Sequence, residues 1–137
     1  MDALMEAAPR DPSGEKWINS QKLDELRLSI GDQLLLEVLD DVQHQLHTAI
    51  EQLPKLNTDR NSAELRLLSH SLLGAARELS FEKISDLCRV IEVASIEQQF
   101  DHAEPLIQQL VRNRSMIDSE IEEYRSRFLD PQRPEQH

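Results

Sequence analysis

The chain has 137 residues, the length of one domain, and 39% of them are hydrophobic, enough to build a core. Its formal net charge of −11 disfavours nucleic acids and anionic membranes as partners, because both are bound chiefly through clustered lysine and arginine. No apolar run approaches the roughly 20 residues that span a bilayer, and one cysteine cannot form an internal disulfide, so we expect a cytoplasmic protein.

Composition and periodicity predict an all-α fold. Strands need aromatic residues and frequent turns, but only 4% of the residues are aromatic and three are glycine. Apolar residues recur at helical spacing in five segments. We predict a short helix over residues 20–30 and four longer ones over 32–53, 62–79, 80–98 and 103–128.

Punctuating residues set the predicted boundaries of these helices. Gly31 ends the first helix, Pro54 closes the second, and Pro105 is tolerated in the first turn of the last. The short links predict an antiparallel up-down four-helix bundle with a short extra N-terminal helix. This domain spans residues 16–129, between flexible tails over residues 1–15 and 130–137.

His70 has an unusual position on the predicted helix over residues 62–79. At about 100° per residue, the leucines and alanines of this helix gather on one face, whereas His70 points away from them. Gly74 follows one turn later on the outward face. A glycine inside a helix costs roughly 1 kcal/mol relative to alanine, so we expect it to clear space beside the imidazole for a partner.

The run His70-Ser71-Leu72-Leu73-Gly74-Ala75-Ala76-Arg77-Glu78-Leu79-Ser80 resembles the motif of histidine-containing phosphotransfer (HPt) domains. The motif reads His-x-Leu-Lys-Gly-(Ser/Ala)-(Ser/Ala)-x-x-Leu-Gly, on the second long helix of a four-helix bundle. The resemblance extends over about residues 17–128. Three positions depart from the motif: Leu73 replaces a lysine, Arg77 a small residue and Ser80 a glycine.

The resemblance implies that His70 takes a phosphoryl group from the aspartyl phosphate of one receiver domain and passes it to another. The implied partners are a response regulator receiver domain and a hybrid sensor histidine kinase. The sequence contains no glycine-rich nucleotide loop and no kinase signature. We therefore expect a monomeric phosphocarrier without a cofactor or metal of its own and without autonomous catalytic activity, with Mg²⁺ bound by the receiver partner.

Four further residues are candidate members of the site. Arg66 and Arg77 project within about 40° of His70 on the helical wheel, so either can supply the positive charge that Leu73 lacks. They can equally pair with glutamates or lie in water. Leu67 and Leu73 flank His70, and we expect both to be partly exposed, so that they can form an apolar collar for docking a receiver; packing against the neighbouring helices is the alternative.

Two further features are a stripe of histidines and acids on the second predicted helix and the single cysteine. Asp40, His44, His47 and Glu51 form one stripe that can bind a metal, although a solvated polar face accounts for it better. Cys88 lies on an apolar stripe and is expected to be a buried structural thiol.

Two functional alternatives to the phosphocarrier stay open. The first is an HPt-like binding module that has lost phosphorylation and regulates a response regulator or sensor kinase by direct interaction. The second is an unrelated helical dimerisation or adaptor protein, which would be dimeric.

Overall fold

A computed structural model describes residues 16–129, and the two predicted tails lie outside the described residues. Within 16–129 the chain forms helices and links and contains no strand. The helices are α1 (Ser20–Ile30), α2 (Asp32–Thr58), α3 (Ser62–Glu78), α4 (Glu82–Ile96), α5 (Phe100–Arg112) and α6 (Arg114–Tyr124), followed by a π-helical turn over Arg125–Leu129.

Helices α2 to α5 form a closed ring in which each packs against the next and α5 returns to α2. Three-residue links join them, so consecutive helices run antiparallel. Helix α1 packs on α2, and α6 continues the direction of α5 beside α2. The predicted all-α bundle with a short extra N-terminal helix is confirmed.

The core is built from the apolar stripes of these helices. Leucines dominate it, and Phe81 is the largest side chain that is fully enclosed. Cys88 is buried among them as expected. Burial, and secondarily the negative charge of Glu92, raises the pKa of the Cys88 thiol to about 12, so the thiolate form is suppressed.

Pro54 does not close α2 as predicted; the helix continues through it for another turn to Thr58. A proline removes one backbone donor, but the extra turn buries Asn57 beside Leu53. The Asn57 amide Nδ2 donates to the carbonyl of Phe100 at 3.0 Å and to Glu104 Oε1 at 2.8 Å. These contacts with α5 hold the extension in place.

The predicted helix over residues 103–128 starts earlier and is divided into two. Helix α5 begins at Phe100, so Pro105 lies beyond the first turn. Asn113 separates α5 from α6: its side-chain Nδ2 donates to the carbonyl of Gln109 at 2.8 Å. An asparagine that bonds the preceding turn in this way competes with regular helix hydrogen bonds.

Each three-residue link between α2 and α5 has a residue other than glycine in the left-handed region. Arg60, Ser80 and Gln98 have φ values of 56°, 58° and 57°. Ser80 was predicted to start α4, but its positive φ places it in the link, and α4 begins at Glu82. The links therefore share one geometry, in which the second residue reverses the chain.

Candidate functional site

His70 lies on the outward face of α3, as the sequence predicts. Its side chain is 66% exposed, and the neighbouring Ser69 and Leu72 are buried. The helix turns its apolar residues into the bundle, which leaves the imidazole on the surface. An exposed imidazole is available to react with a macromolecular partner.

Glu92 on α4 contacts the ring of His70. Its Oε2 atom lies 2.9 Å from His70 Nδ1, and its side chain is only 17% exposed. An ionised carboxylate can only accept a hydrogen bond, so Nδ1 carries the proton and donates it. The second nitrogen, Nε2, then holds the lone pair, and no residue in the described part of the chain bonds to it.

Sequence reasoning did not identify Glu92 as a partner of His70. The two residues are 22 positions apart on different helices, and only the packing of α3 against α4 brings them together. The acid at position 92 was visible in the sequence, but helical periodicity within one segment gives no register between two helices.

The surface beside His70 is open at Gly74. Among residues 16–129, a Cβ atom built on Gly74 would meet no heavy atom within 4 Å, and the residue is exposed. Packing within the described part of the chain therefore does not require glycine at this position. The absence of a side chain leaves a level surface next to the imidazole.

Arg66 and Arg77 are both exposed on α3. Neither forms an ion pair with another residue in the range 16–129. The alternative that they pair with neighbouring glutamates therefore does not hold in this structure. Two unpaired guanidinium groups lie on the His70 stripe, one turn before the imidazole and two turns after it.

The expectation that Leu73 is partly exposed is wrong. Leu73 is 5% exposed and belongs to the core, whereas Leu67 is 51% exposed. Leu73 belongs to the buried cluster that forms where α3 packs against its neighbouring helices. Leu73 therefore cannot contribute to an apolar collar, but Leu67 can. On α4, Val93 and Ile96 are also exposed apolar residues.

The polar stripe of α2 packs against the C-terminal helices and is not simply a solvated face. His47 Nε2 lies 2.7 and 2.9 Å from the two carboxylate oxygens of Asp118, and Asp40 accepts from Arg125 at 2.7 Å. Glu51 approaches Arg114 at 3.8 Å. Nowhere in residues 16–129 do three or more histidine, cysteine or acidic side chains come together as metal ligands.

An accessible imidazole on the second long helix of an antiparallel bundle, with a glycine one turn later, is the arrangement of a histidine phosphotransfer module. The Hpt domain family model matches residues 33–126, which is more than half of the chain. The chain therefore belongs to the Hpt domain family. Members of this family are phosphocarrier modules of two-component signalling and interact with receiver domains and histidine kinases.

No curated protein and no solved structure shows a significant match to the chain. None of the helices between residues 16 and 129 has the length and apolar character needed to cross a membrane.

Proposed function

We propose that this protein relays phosphoryl groups between receiver domains through His70. The observation that carries the proposal is the state of the ring: it is exposed, and Glu92 occupies Nδ1 and leaves the lone pair of Nε2 free. A neutral imidazole nitrogen of this kind is nucleophilic near pH 7.

The reaction forms one bond and breaks another. The Nε2 lone pair attacks the phosphorus of an aspartyl phosphate in line with the aspartyl oxygen, and the N–P bond forms as the O–P bond breaks. The electron pair of the O–P bond stays on the aspartyl oxygen, which leaves as part of a free carboxylate. Reversal of these steps on a second receiver delivers the phosphoryl group.

The surroundings of His70 fit the needs of this transfer. The level surface at Gly74 lets the receiver approach the ring, and Leu67 offers an apolar contact beside it. Arg66 and Arg77 can balance the charge of the equatorial phosphoryl oxygens, since no lysine follows at position 73. Mg²⁺ and the acid groups that bind it would come from the receiver.

The test is incubation with candidate phosphorylated receivers and Mg²⁺, followed by measurement of acid-labile, alkali-stable label on the protein. We expect label on the wild type and none on His70→Gln. A stable complex that forms without label would instead establish a binding module that regulates its partner by contact. Light scattering on the protein alone should show a monomer. A dimer would instead favour the unrelated helical dimerisation protein.

A further inference from the structure

The side chain of Glu92 is largely shielded from water, although it contacts an exposed ring. Its side chain is 17% exposed, and His70 Nδ1 is the only hydrogen-bond donor in residues 16–129 that its carboxylate meets. Its charge also reaches the buried thiol of Cys88, one turn earlier on α4. Because this carboxylate has little access to water and contacts one donor, water screens its electrostatic attraction for that donor only weakly.

Phosphorylation changes what this contact does. Before transfer, the Nδ1 proton is donated by a neutral ring. After Nε2 has bonded to phosphorus, the same ring still carries the Nδ1 proton and is a phosphorylated imidazolium with a positive charge. The hydrogen bond to Glu92 then becomes an ion pair, which is the stronger type of contact.

The protonation of Nδ1 decides how readily the phosphoryl group departs. With the proton in place, cleavage of the N–P bond releases a neutral imidazole, and the electron pair of that bond stays on Nε2. Without the proton, the leaving group would be an imidazolate anion, which is a far poorer leaving group. The acceptor is the receiver carboxylate in transfer, or water in hydrolysis.

We infer that Glu92 sets the lifetime of phosphorylated His70, by holding the Nδ1 proton on the ring so that the phosphoryl group stays easy to remove. The inference deepens the proposed function and describes a carrier that passes its phosphoryl group on rapidly and does not store it. Glu92 is a positioning residue here, since it acts through the imidazole.

Other charged groups near the ring cannot replace this effect. Arg66 and Arg77 on α3 are cations, and they would weaken protonation of Nδ1. Arg89, one turn before Glu92 on α4, already contacts Asp86 at 3.5 Å. On α2, His44 lines the groove beside Ser71 and carries no negative charge. Glu92 is therefore the anion on the described helices that contacts the ring.

The test uses phosphoramidate, which phosphorylates an available imidazole without any receiver. The protein labelled in this way is isolated, and loss of label is followed between pH 5 and 9. In Glu92→Gln the amide oxygen can still accept from Nδ1 but offers no charge. We expect label to be lost roughly fivefold more slowly at pH 8, and the midpoint of the pH profile to fall by about 0.7 units.

Matched variants separate this role from a structural one. Glu82→Gln removes the same charge from the first turn of α4 and should leave both the rate and the pH profile unchanged. Glu92→Asp keeps the charge on a shorter side chain and should fall between wild type and Glu92→Gln. Nitrogen NMR of unphosphorylated His70 should show the proton on Nδ1 in both wild type and Glu92→Gln.

Three results would overturn the inference: an unchanged pH profile in Glu92→Gln, an equal shift in Glu82→Gln, or failure of phosphoramidate to label His70. Transfer from receivers is measured separately. Label that phosphoramidate introduces and that Glu92→Gln prolongs, together with no transfer from any receiver, would refute the proposed relay and leave the role of Glu92 standing.

Discussion

Gly74 lies inside α3, although glycine is less favourable than alanine in a helix. Alanine is favoured over glycine inside a helix by roughly 1 kcal/mol, and a Cβ at this position has open space around it. We predict that Gly74→Ala raises the free energy of unfolding by about that amount and slows phosphoryl transfer from a receiver. Urea denaturation and transfer kinetics measure the two effects. A variant that is more stable and equally fast would show that the partner does not need the space.

Arg66 and Arg77 are predicted to help the transfer and to contribute little to folding. Both are exposed and without an ion-pair partner within residues 16–129. The double variant Arg66→Ala/Arg77→Ala should fold normally, as judged by circular dichroism, but accept label from a receiver more slowly. Arg112→Ala, an exposed arginine on α5, is the control for loss of positive charge. Full phosphorylation of the double variant would remove these arginines from the site.

At the scale of the elements, the link between α3 and α4 carries backbone strain. Ser80 has a φ of 58°, a conformation that glycine adopts without the cost paid by other residues. We predict that Ser80→Gly stabilises the protein by roughly 0.5–1 kcal/mol in chemical denaturation. This geometry also gives a physical reason for the glycine that the HPt motif usually has at this position.

Two controls surround that prediction. Gln98→Gly, in the link before α5, has nearly the same φ and should stabilise similarly. Ser85→Gly lies inside α4 and should destabilise, because glycine weakens a helix interior. Loss of stability in Ser80→Gly would mean that the link owes its shape to side-chain contacts of Ser80.

The elements also show what sequence patterns can and cannot give. Within residues 16–129, the apolar periodicity located every helical segment but not the break at Asn113 between α5 and α6, and the wheel placed His70 outward. Both results depend on one segment at a time. The wheel could not show that Leu73 is covered, that Glu92 meets His70, or that Pro54 lies within α2. Each of these depends on a neighbouring helix whose register the pattern does not contain.

At the scale of the whole molecule, the residues just before α1 are hydrogen-bonded to α6, near the other end of the described chain. Glu120 on α6 accepts hydrogen bonds from the backbone nitrogens of Trp17 at 2.8 Å and Ile18 at 3.0 Å. Both side chains are buried, so these contacts place them in the core. Because Glu120 is more than 100 residues away from Trp17 and Ile18, these hydrogen bonds join the two ends of the described fold.

Removing the hydrogen bonds to Glu120 should destabilise the whole fold. Glu120→Ala leaves two backbone donors without their acceptor, and we expect a loss of about 2 kcal/mol in urea denaturation. Glu123→Ala, on the exposed side of α6, is the matched control and should cost less than about 0.5 kcal/mol. Equal stability of the two variants would show that Glu120 does not hold the N-terminal segment.

The most direct test of the account is to locate a transferred phosphoryl group among the histidines by mass spectrometry under alkaline conditions. The described chain also holds His44, His47 and His102, and His47 is already engaged by Asp118. After reaction with a phosphorylated receiver, we predict the phosphoryl group on His70 alone. A phosphoryl group on another histidine, or labelling that persists in His70→Gln, would contradict the account.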